Sequence, residues 1–119
     1  RPFRSKCSVT KIGAEPGEKG TVELQNAGSQ PKKTLVNNWS LLKAGSNPRS
    51  YANAAMKAQG QDYQPSSLAG EVLASIRLLG PKESAKTTFT APTAPGSYPF
   101  LCSFPAHYQS GMRGTLIVK

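Results

Sequence analysis

The stretch Tyr98-Pro-Phe-Leu-Cys102-Ser-Phe-Pro-Ala-His107-Tyr-Gln-Ser-Gly-Met112-Arg-Gly-Thr-Leu-Ile-Val118 decides how the rest of this 119-residue chain is read. An apolar, strand-like segment leads into a loop, and a second strand-like segment leads out of it. The loop carries a thiol at Cys102, an imidazole at His107 and a thioether at Met112. Singly, such residues usually serve as a buried thiol, a surface loop residue and core filler. Together, on one loop between two strands, they can converge at a single rim, and His107 is the only histidine in the chain.

That donor set has a defined chemistry. A copper ion cycling between +1 and +2 calls for a soft thiolate, imidazole for both states, and a weak, long axial thioether. A structural zinc site fits poorly, because no Cys-x-x-Cys pair or second histidine completes a tetrahedron. Nucleophilic catalysis by Cys102 fits poorly as well, because no acidic or amide residue is obviously arranged to orient His107.

Outward from the loop, short strand-like runs recur at 8–12, 21–26, 35–42, 72–79, 87–90, 97–102 and 115–118. Turn signals separate them: Glu15-Pro16-Gly17, Asn26-Ala27-Gly28, Gly80-Pro81 and Ala94-Pro95-Gly96. The spacing predicts an all-β, antiparallel sandwich. One stretch breaks the pattern, since Ala52, Ala54, Ala55, Met56 and Ala58 favour a helix over 48–60, with Asn47-Pro48 as its start and Gly60 as its stop. Residues 61–70 read as an irregular connection, and 90–96 as a turn.

The length suits one domain spanning 1–119. Fifteen Lys and Arg against six Asp and Glu give a net charge of +9. The basic residues, among them Arg1, Arg4, Lys6, Lys11, Lys32, Lys33, Lys57, Lys82, Lys86 and Arg113, are scattered rather than clustered with aromatics. Such scatter argues against nucleic acid and for either solubility or a field that steers an acidic partner. No apolar run approaches the roughly 18 residues of a membrane span. No leader pattern stands at Arg1, so the chain reads as a mature exported protein or as a domain cut from a longer one. If Cys102 is a thiolate ligand, Cys7 is left without a disulfide partner.

The loop Cys102-Ser-Phe-Pro-Ala-His107 with Gly111-Met112-Arg-Gly-Thr-Leu resembles the copper loop of the cupredoxins, the blue copper proteins of the azurin and auracyanin type. Asn38-Trp39-Ser-Leu-Leu resembles the family's His-Asn-Trp-Val-Leu strand, and Val72-Leu-Ala-Ser-Ile-Arg-Leu-Leu-Gly80 its long central strand. Thr21-Val-Glu-Leu is similar to its second strand, and the helix falls where azurins carry a flap helix. The resemblance implies a cupredoxin-type Greek-key β-sandwich with one short inserted helix, holding one type 1-like copper ion. It implies an electron-transfer protein, not an enzyme, periplasmic or otherwise exported, with a redox partner such as a c-type cytochrome or a membrane electron-transfer complex. Cys102, His107 and Met112 would be ligands, and Asn38 would brace the ligand loop and donate to the sulfur. Trp39 would be a core residue beside the site. Phe104, Pro105 and Ala106 would form the apolar collar on which the partner docks, with Phe104 also packing beside the site.

Three departures follow from the comparison with that pattern. Four residues separate His107 from Met112, as in rusticyanin-like loops, and the N-terminal disulfide of azurins has no counterpart at Cys7. The larger departure is Asn37, which stands where the family's first histidine ligand precedes Asn-Trp. The residue before it, Val36, is where a backbone carbonyl lies near the metal. Asparagine is a hard, weak donor for copper. Three readings stay open: an electron carrier with an altered site, a cupredoxin-fold binding or structural subunit that has given up redox work, and a carrier in which Asn37 is an engineered change.

Overall fold

The computed structural model describes residues 3–6, 11–25, 37–80, 83–104, 108 and 112–119. Among them lie β1 (Phe3–Lys6), β2 (Lys11–Ala14), β3 (Lys19–Gln25), β4 (Asn37–Leu42), α1 (Pro48–Ala55), β5 (Val72–Leu79), β6 (Ser84–Thr90), β7 (Gly96–Leu101) and β8 (Arg113–Val118). The strands form a three-stranded sheet in the order β1-β3-β6 and a five-stranded sheet in the order β2-β8-β7-β4-β5.

Alternation along the strands decides what each face covers. On β4, Trp39 and Leu41 enter the main core with Val22 and Leu24 of β3, Ile76 of β5 and Phe100 of β7. Leu42, on the opposite face, joins Leu101, Tyr51, Ala52 and Tyr108 in a second cluster, so the helix covers the other side of the large sheet. The outer face of the small sheet is polar: Thr21 lies opposite Thr88, and their hydroxyls are 3.0 Å apart. That is a favourable cross-strand pair.

The expected sandwich is present, with two corrections. Pairing is not antiparallel throughout, because β1 runs parallel to β3 and β2 parallel to β8. Turn signals announce hairpins, and neither pair is joined by one, so sequence spacing carries no sign of their direction. The strand expected over 8–12 is described only from Lys11 and runs to Ala14, residues 8–10 lying outside the described part, and β1 was not anticipated.

The helix is also shorter than the 48–60 expected, ending at Ala55. Its start is as read: Pro48 occupies the first turn, and the Asn47 side chain accepts the Ser50 amide at 3.1 Å. Its buried face consists of Tyr51, Ala52 and Ala55. Beyond that face the chain tightens, with Lys57 N–H donating to Ala54 and Ala58 N–H to Ala55. The connection expected to be irregular contains 3-10 turns at Gln59–Gln61 and Ser66–Glu71. Between them Asp62 and Tyr63 both hold φ of 57°. Two consecutive non-glycine residues there are uncommon and cost energy unless neighbours hold them.

Two local devices fix the ends of the sandwich. Glu15-Pro16-Gly17-Glu18 closes as a turn with Gly17 at φ 72° and Glu18 N–H on Glu15 at 3.1 Å. The Tyr98 hydroxyl donates to the Ala94 carbonyl and so pins the turn before β7. Opposite Asn38, the two steps from Asn37 to Trp39 face three steps from Leu79 to Ile76, so β5 carries an extra residue there. Among the described residues no helix is long and apolar enough to cross a membrane.

Leu41→Ala empties a fully buried position between the sheets and should cost about 2–5 kcal/mol in a denaturant titration. Trp39 reports on the same core. Its indole is 2% exposed, and its N–H has no hydrogen-bond partner among the described residues. Emission from the folded protein should therefore be short in wavelength and move red on unfolding.

Candidate metal centre

The site lies where three strands end together. Cys102 follows β7 directly, Met112 precedes β8 directly, and β4 begins beside them at Asn37. Because β7 and β8 are antiparallel neighbours with Leu101 opposite Arg113, the ladder extends one step further, and Cys102 N–H donates to the Met112 carbonyl at 2.9 Å. The loop that carries His107 is thus closed at its base by a backbone bond. Cys102 and Met112 share the lining of a small cavity of about 10 Å³ with Asn38, Trp39 and Leu24. Cys102 is buried, whereas Met112 is 38% exposed at the rim.

The Cys102 sulfur is surrounded by main-chain donors. Asn38 N–H points at it from 3.4 Å, and the Phe104 backbone N–H also bonds it. Burial pushes the thiol pKa up, and these two amides oppose that shift by stabilising the thiolate. A buried sulfur with amide donors suits a soft metal–thiolate bond, whose strength such donors tune.

Asn38 is the brace. Its side-chain oxygen accepts Ser103 N–H at 2.8 Å and lies 3.2 Å from the Ser103 hydroxyl oxygen. Its side-chain amide nitrogen is 3.0 Å from the Ser103 hydroxyl and donates to the Asp62 carbonyl at 2.8 Å. The Ser103 hydroxyl in turn reaches the Tyr63 carbonyl. The two left-handed residues therefore present their carbonyls to the residue after Cys102 and to the residue that bonds its sulfur. Tyr63 also packs edge-on against Phe104, with ring centroids 5.0 Å apart and planes at 77°. On the other side of the loop, the Arg113 guanidinium lies 4.7 Å from the centre of the buried Tyr108 ring.

Of the residues singled out from sequence, the structure brings together Cys102, Met112, Asn38, Trp39 and Phe104. Asn37 opens β4 opposite Leu79, with its side chain outside the described part. Val36, Pro105, Ala106, His107 and Cys7 lie outside the described residues. Sequence reading missed Ser103, Asp62, Tyr63 and Gln64. The one local signal was the aspartate, which tolerates the left-handed region better than most residues.

Comparison with known proteins shows the family and the fold. Residues 8–119 match the family described as copper binding proteins, plastocyanin/azurin family. Over 85 residues the chain is 36% identical to auracyanin-B of Chloroflexus aurantiacus, covering 71% of this chain and 36% of that protein, so it spans about a third of that relative's length. Over 102 residues it is 33% identical to azurin of Pseudomonas chlororaphis, covering 83% of this chain and 77% of that one. Among solved structures, dithionite-reduced auracyanin from Roseiflexus castenholzii superposes with a TM-score of 0.80 at 28% identity, covering 99% of this chain and 96% of that one.

The raised thiol pKa has a signed consequence for the metal-free protein. The folded state keeps a proton that the unfolded chain releases above about pH 8.5, so stability should fall as pH rises past that value until the folded thiol itself ionises. Denaturation midpoints from pH 7 to 10 check this, and Cys102→Ala should flatten the decline.

Proposed function

Because the chain belongs to the plastocyanin/azurin family of copper-binding proteins, we propose that it holds one type 1-like copper ion and carries electrons between redox proteins. Cys102, His107 and Met112 are the proposed ligands, and Asn37 and the Val36 carbonyl stand at the remaining positions. Bound there, copper supplies a one-electron couple between +2 and +1. The observation that carries the reading is the Cys102 sulfur, buried, met by the Asn38 and Phe104 amides, and tied through its own amide to Met112.

The protein's own residues do three things at this site. Asn38 and Ser103 hold the Cys102 loop in one geometry, so that little has to rearrange when the charge at the sulfur changes. The surrounding Leu24, Trp39 and Phe100 keep water from the sulfur. Phe104, with Pro105 and Ala106, offers the apolar collar on which a partner docks, and the net charge of +9 steers an acidic one toward the molecule. The partner is a redox protein such as a c-type cytochrome or a membrane electron-transfer complex. The setting is periplasmic or otherwise exported, and the whole chain works as one domain. The backbone amides on a buried Cys102 sulfur support a site for carrying electrons.

Asn37 favours a second reading, a cupredoxin-fold binding or structural subunit that no longer holds copper for redox work. Titration with Cu(II) separates the two. The carrier should develop an intense thiolate-to-copper band that Cys102→Ala abolishes; no band at saturating Cu(II) leaves the second reading. Asn37→His should raise copper affinity at least tenfold, measured by competition with a chelator, because imidazole replaces a weak oxygen donor.

A further inference from the structure

We propose that Gln64 is a positioning residue for Cys102, acting through the strand that carries Asn38. The Gln64 side-chain amide donates to the Ile76 carbonyl at 2.9 Å, and its second N–H has the Trp39 carbonyl and the Ser40 hydroxyl as acceptors, each 3.3 Å away. Trp39 and Ile76 are partners across β4 and β5, immediately beside the extra residue of β5. A side-chain donor from the connection between the two 3-10 turns therefore joins the two strands where their regular register is broken.

That junction adjoins the site. Asn38 precedes Trp39, and its N–H is the donor to the Cys102 sulfur. The residues preceding Gln64 bind the same neighbourhood from the other side: Asp62 O accepts from Asn38, and Tyr63 O from Ser103. Gln64 thus locks the C-terminal end of a left-handed pair whose conformation is costly by itself. It also fixes the height at which β4 presents Asn38. Without its amide, two N–H donors are lost to part-buried acceptors, and the 62–64 segment is held only through its left-handed carbonyls.

Opening of the Cys102 loop becomes easier when the amide is removed. The consequence for the metal rests on the electron-carrier reading; the consequence for the thiol does not. The test uses metal-free protein carrying Cys7→Ser, so that Cys102 is the only thiol, and follows iodoacetamide alkylation under native conditions. Gln64→Met keeps the volume and removes the donor, and should raise the Cys102 alkylation rate about tenfold or more. Val118→Ala, buried at the far end of β8, should lower the denaturation midpoint while leaving that rate within about twofold. On adding Cu(II), Gln64→Met should also shift the thiolate-to-copper band, and Val118→Ala should not.

The proposal is overturned if Gln64→Met leaves Cys102 as protected as the parent, or if Val118→Ala exposes it equally. Should Gln64→Met fail to fold, Gln64→Glu keeps the size and replaces the donor with an acceptor. It should speed alkylation in the same way, and an unchanged rate overturns the proposal. A parent that gives no copper band defeats the carrier reading alone, because the alkylation rates still judge the role of Gln64.

Discussion

A buried asparagine holds this molecule together at its working end. Asn38 is 1% exposed, and a side-chain amide taken from water at that depth is tolerated only when its hydrogen-bonding groups are met. Its partners come from two other parts of the chain, Cys102 and Ser103 after β7 and Asp62 between the 3-10 turns, while Asn38 itself sits on β4. Satisfying one polar side chain therefore fixes the relative position of three segments. An apolar residue there would pack, but it would leave the Ser103 amide and the Asp62 carbonyl without that partner, and the loop would lose its reference point.

The large sheet explains why the thiol lies in a graded environment. Its inner face meets the small sheet through Trp39, Leu41 and Phe100, and its outer face meets α1 through Leu42 and Leu101. Cys102 is the next residue along β7, at the border of these two apolar clusters and the rim. Burial disfavours the charged sulfur there, and the Asn38 and Phe104 amides favour it. The balance is set by backbone groups, which stay fixed as long as the strands do.

Much of this was legible before any coordinates. Alternation and turn residues placed β5 over its whole length, and the Cys102, His107 and Met112 pattern with Asn38-Trp39 identified the kind of protein. What stayed hidden depends on contacts between distant segments. The parallel pairing of β1 with β3 and of β2 with β8 leaves no mark in local composition. The end of the helix at Ala55 is a change to tighter turns, with Lys57 and Ala58 bonding three residues back, which alanine content does not mark. Asp62 and Tyr63 act through main-chain carbonyls, which no side-chain pattern encodes. Gln64 was one more polar residue in a loop until Trp39 and Ile76 came to lie beside it.

The parallel pairing of β2 with β8 also governs how the molecule answers to pulling. Lys11 through Ala14 lie alongside Thr115 through Val118 in the same direction. A tension applied between the residues just before β2 and those just after β8 draws β2 backward from its first residue and β8 forward from its last. The two strands are then loaded along their length, and their hydrogen bonds must yield together instead of opening one by one. Force entering from β1 meets a second parallel pair, β1 with β3, in the same shearing geometry.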